Sequence, residues 1–94
     1  MDLEEFTNVL CALTIGLRHR IAEGEFLDIT SLYSAGEWRY GLRHLVGAIN
    51  TSGLPIYRWE MEDLVRLWAH IRADPTELTT IPTIADHESP WGSP

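Results

Sequence analysis

Four histidines, a single cysteine and two short runs of carboxylates are the residues of this chain whose types could carry chemistry. A helical metal site needs two ligands at i, i+3 or i+4, so that both side chains leave the same face. His19, His44 and His70 lie in three different segments and His87 lies near the end of the chain, so each reads as a surface or boundary residue and no metal site is expected. Cys11 would need a neighbouring base and a depressed pKa to act as a nucleophile. It sits between Leu10 and Ala12 in an apolar-periodic segment and reads as a small buried residue. The serines lack the G-x-S-x-G elbow, and Gly36, Gly41 and Gly47 recur at helical spacing, not in a phosphate-cradling loop. No catalytic, cofactor-binding or metal-binding residue is therefore assigned, and the chain is not expected to be an enzyme.

The carboxylates are more informative. Glu23, Glu25 and Asp28 follow the first apolar segment, and Glu60, Glu62 and Asp63 open the last one. For the second group two readings stand side by side: stabilisation of a helix N-terminus by negative charge, worth roughly 0.3–1 kcal/mol each, or contact with a partner. The first group is expected in a loop beyond a helix C-terminus, where no dipole accounts for it, and is the stronger partner candidate. Tyr40, Tyr57 and Trp59 fall off the apolar stripes, and aromatics exposed beside carboxylates suit a protein-binding hot spot. The expected contact set is Glu23, Glu25, Asp28, Tyr57, Trp59, Glu60, Glu62 and Asp63.

Composition points the same way. Ninety-four residues, 45% of them apolar, build one modest core. A domain this small favours action by surface contact over a buried catalytic cleft. Fourteen acidic against seven basic residues give a net charge of −7, which disfavours nucleic acid and favours a basic protein partner. All seven cations are Arg, which fits a GC-rich genome. One cysteine implies no disulfide framework. The acidic N-terminus and the short apolar run from Val9 to Leu17 suggest neither a secretory leader nor a membrane span, so the cytoplasm is the expected location.

The elements that must position these residues are helical. Asp2 caps a first helix, with Glu5 three residues on, and Leu3, Phe6, Val9, Leu10, Leu13, Leu17 and Ile21 follow the helical period until Gly24 ends it. A short helix from Asp28 to Ser34 follows, broken by Ala35-Gly36. Trp38, Leu42, Leu45, Val46 and Ile49 define a third stripe, stopped by Gly53 and Pro55. Met61, Leu64, Val65, Trp68 and Ile71 define a fourth, stopped by Asp74-Pro75. The predicted architecture is all-α, a small antiparallel bundle of three to four helices over residues 1–75, with an extended or partly disordered tail over 76–94 whose candidate anchors on the bundle are Ile81, Ile84 and Trp91.

Glu37-Trp38 with Leu42 and Leu45, the hinge Leu54-Pro55-Ile56 and the run Glu60, Leu64, Leu67 resemble the central segment of the MafI-like immunity proteins of bacterial polymorphic-toxin systems. The resemblance covers the middle third of the chain. It implies a cytoplasmic protein that neutralises a cognate toxin domain by occluding its active or substrate-binding surface, with acidic groups standing in for phosphates where the toxin is a nuclease. The alternative is a non-catalytic helical adaptor, or a subunit of a larger complex or homodimer.

Overall fold

Asp2 opens the first helix as its spacing predicts: its Oδ1 accepts the Glu5 backbone N–H at 2.8 Å, satisfying one of the free donors of the first turn. The computed structural model describes residues 1–84. Four helices carry the chain in the order α1 (Leu3–Gly16), α2 (Glu23–Ser34), α3 (Trp38–Ser52) and α4 (Arg58–His70), with 3₁₀ turns at Arg18–Arg20 and Pro75–Leu78. Two-residue strands β1 (Ile56–Tyr57) and β2 (Thr83–Ile84) pair in parallel, Ile56 opposite Thr83 and Tyr57 opposite Ile84. The protein is mostly helical.

Two boundaries differ from the expectation. The first helix stops at Gly16 and does not run on to Ile21; the Arg20 N–H turns back to the Leu17 carbonyl at 2.8 Å, tightening the chain into a 3₁₀ turn. Leu17 and Ile21, the residues on either side of that turn, are buried all the same. Gly24 is not a stop but lies in the first turn of α2, which begins five residues before Asp28. Glu23 and Glu25 therefore sit at a helix N-terminus, where the dipole favours them. The reading of that cluster as loop carboxylates near an unfavourable C-terminal pole is corrected.

The other stops are glycine-like in geometry. Gly36 (φ 79°) and Gly53 (φ 69°) take the left-handed conformation that ends α2 and α3. At the end of α4, Arg72 (φ 58°) does so, and the Ala73 N–H reaches the Trp68 carbonyl at 3.2 Å in a Schellman-type closure. The helix ends there, and Asp74-Pro75 instead opens the next turn, with Asp74 Oδ1 accepting the Thr76 N–H.

Helix α2 packs mainly on α3, and α1 on α4. The core gathers Leu10 and Leu17 from α1 and its flank, Ile29 from α2, Leu42 and Leu45 from α3, and Leu64 and Leu67 from α4, with Trp68 1% exposed. Burying side chains of this size stabilises the fold by about 1.5–3 kcal/mol each before entropy is set against it. Trp38, expected in the core, is half-buried and stacks on Tyr33 with ring centroids 5.0 Å apart. Leu3 and Val65, also assigned to stripes, are exposed; on α4 the inward face is Glu60, Leu64, Leu67 and Trp68, and Val65 lies one residue, about 100°, beyond it.

The segment after residue 75 is more than a tail. Leu78 and Ile81 join the core, the Trp68 indole Nε1 donates to the Asp74 carbonyl at 2.8 Å, and Ile56 N donates to the Pro82 carbonyl at 3.0 Å. The expected anchor Trp91 and the histidine at 87 lie outside the described residues.

Candidate binding surface and the polar centre behind it

Arg20 and Glu60 meet inside the molecule. Arg20 Nη1 donates to Glu60 Oε1 at 2.7 Å and Nη2 to Oε2, in a bidentate pair whose residues are 7% and 0% exposed. The same guanidinium donates to the Gly16 carbonyl at 3.1 Å, and Glu60 Oε1 also accepts the Tyr57 N–H at 2.7 Å. A cation thus closes the C-terminal end of α1 and an anion the N-terminal end of α4, each where the helix dipole favours it. Among the described residues every buried side-chain polar atom has a partner. Glu60 is therefore withdrawn from the expected contact set: it is an inward structural carboxylate, held there by the Arg20 that faces it.

The remaining predicted contact residues divide by position. Tyr57 is half-buried with its ring 5.3 Å from the Arg20 guanidinium carbon. Trp59 is 45% exposed and its ring lies nearly parallel to that of Tyr57, at 6.4 Å between centroids. Glu23 is exposed in the first turn of α2. Glu62 is exposed on α4. Asp63 is half-buried and meets Arg66 at 3.4 Å, which also reaches Glu5 on α1 at 3.1 Å. Asp63 is thus paired within α4 to the arginine that crosses to α1.

Glu25 and Asp28 belong to a different neighbourhood. Glu25 Oε2 lies 2.7 Å from His44 Nε2 on α3, and Asp28 stands one turn further along α2. His44 is a residue that single-helix spacing could not single out, because its neighbours come from another element. At the opposite end of the α1–α4 pair, Leu3, Phe6, Trp38, Tyr40 and His70 line an open groove of about 360 Å³. There the Phe6 and His70 rings stack at 4.6 Å, while Leu3 and Tyr40 are 65% and 63% exposed.

Among the described residues burial raises the pKa of two groups, Tyr33 and Cys11, while hydrogen bonds from Thr76 hold the exposed Asp74 carboxyl below its ordinary value. Burial raises the Tyr33 phenol far above its ordinary value. The Thr14 hydroxyl donates to the Leu10 carbonyl at 2.7 Å, so Tyr33 is the donor in the 2.9 Å contact with Thr14. Burial also raises the Cys11 thiol, the direction opposite to that of an activated nucleophile. No described helix is long and apolar enough to cross a membrane. The chain matches no known protein-family model, no curated protein and no solved structure.

Proposed function

We propose that this chain is a non-catalytic immunity-type protein: a small antiparallel helical bundle that binds a basic, nuclease-like toxin domain in the cytoplasm and occludes its active or substrate-binding surface. The observation that carries the reading is the Tyr57–Trp59 aromatic pair, its rings nearly parallel and Trp59 exposed to solvent, on a strongly acidic chain. An exposed aromatic anchor on an acidic chain suits a protein hot spot rather than a nucleic-acid surface. The net charge of −7 adds a long-range attraction for a cationic partner. Exposed Glu23 and Glu62 supply the charge; Tyr57 and Trp59 supply the anchor.

The test is association kinetics, at several ionic strengths, with the protein that the adjoining upstream gene encodes. Glu23→Gln/Glu62→Gln should slow association and flatten its salt dependence, since rim charges act mainly on the on-rate. Trp59→Ala should act on dissociation, by about 2 kcal/mol or roughly thirtyfold. No complex with that protein, or kinetics untouched by either variant, would overturn the reading. A second reading, a helical subunit of a homodimer or larger assembly, is supported by the Leu3–Tyr40 groove; self-association seen by sedimentation, abolished by Tyr40→Ser and accompanied by no toxin binding, would favour it.

A further inference from the structure

We infer that Glu25, Asp28 and His44 form a binding site for a divalent transition-metal ion of the zinc type, at the seam between α2 and α3. One ligand atom from each of the three residues lies within 4.8 Å of the other two. Tetrahedral coordination at about 2.0–2.2 Å from the metal sets the ligand atoms roughly 3.4 Å apart. Closing the site from the present arrangement takes a small opening of the 2.7 Å contact between His44 Nε2 and Glu25 Oε2 and a rotation of the exposed Asp28 side chain.

The imidazole separates this group from an ordinary acidic helix start. Glu23, Glu25 and Asp28 alone are what the dipole of α2 selects, and would call for no ligand. Here α3 delivers a nitrogen donor to two carboxylates that stand at i, i+3 on one face of α2. The two helices are held in register by the Tyr33 ring packed over Gly41. Two carboxylates and a neutral imidazole carry a charge of −2, which matches a divalent cation, and three protein ligands leave one position for water. The mixed nitrogen and oxygen set suits zinc-type ions, whereas Mg²⁺ and Ca²⁺ take sites built from oxygen alone. The His44 and Glu25 side chains are 33% and 43% exposed, so an ion enters directly from solvent. None of this depends on a toxin partner.

The test is titration of the full chain with Zn²⁺, followed by calorimetry and by NMR of the imidazole nitrogens. One ion per chain should bind, moving the His44 signals while those of His19, His70 and His87 stay in place, and excess Mg²⁺ should not compete. His44→Gln, which can still hydrogen-bond Glu25, should weaken binding by at least about tenfold, as should Asp28→Asn. Circular dichroism checks that both variants keep the helical fold, and the wild-type NMR readout needs no variant. Absence of Zn²⁺ binding, an equal response of all four histidines, or unchanged affinity in His44→Gln would overturn the assignment.

Discussion

Glu60 stands where charge and burial are most at odds. A carboxylate in a helix's opening turns is ordinarily exposed, yet this one is 0% exposed because a guanidinium and a backbone N–H both point at it. Such a pair is neutral or worse compared with apolar residues of the same volume, but breaking it leaves an unpaired charge in the core. Glu60→Gln should therefore cost about 3–5 kcal/mol, and Glu62→Gln two residues away on the surface within about 0.5 kcal/mol; urea melts of the two variants check this, and equal losses would mean that Arg20 finds water when its partner is removed. The pair had a signature in the sequence. Arg20 falls seven residues after Leu13 and Glu60 stands four and seven residues before Leu64 and Leu67, so two opposite charges each sit on an apolar stripe. Grouping Glu60 with Glu62 and Asp63 by proximity in the chain hid that.

Among the elements, what local chemistry dictates was legible and what pairing dictates was not. Asp2 and Gly53 mark helix ends by their own conformational preferences, and the central apolar positions of α3 and α4 (Leu42, Leu45, Ile49, Leu64, Trp68) follow from period, though Trp38 and Val65 do not. The start of α2 was missed because Gly24 looks like a terminator when read next to α1, and only the 3₁₀ turn before it frees that glycine to be helical. Ile81 reaches the core as its isolated apolar character in the tail suggests, but Leu78 and the short β1–β2 pairing depend on contacts with residues far away in sequence, which periodicity does not carry. The cluster of Glu25, Asp28 and His44 was invisible for the same reason: it exists only in the register of α2 against α3. That register can be tested with two glycines of one helix. By helix propensity alone, Gly→Ala in α3 gains about 1 kcal/mol. At Gly47 nothing lies within 4 Å of the added methyl, whereas at Gly41 it would stand 2.3 Å from the Tyr33 ring, a clash that costs about 1–3 kcal/mol to relieve. Gly47→Ala should raise the urea midpoint and Gly41→Ala lower it. Stabilisation by both would show that α2 and α3 are packed more loosely than the Tyr33–Gly41 contact implies.

At the scale of the whole molecule the charge imbalance acts through distance. The described body extends 38 × 25 × 21 Å and the chain carries a net −7. At about 10 mM salt the screening length is roughly 30 Å, so nearly every carboxylate feels every other; at about 150 mM it is roughly 8 Å and only neighbours interact. Self-repulsion of that kind destabilises the compact state. Against it stand exposed ion pairs such as Glu5–Arg66, each worth at most about 1 kcal/mol and also screened, while the Arg20–Glu60 pair is shielded by burial. The repulsive sum is the larger, so the urea midpoint at neutral pH should rise as sodium chloride goes from about 10 to about 150 mM and then level off. Chloride is the salt to use, since sulfate strengthens burial by a separate route. A midpoint that falls over this range would mean that the exposed pairs outweigh the imbalance. Association with a basic toxin draws on the same field with the opposite sign, so it should slow over the range in which the free protein gains stability.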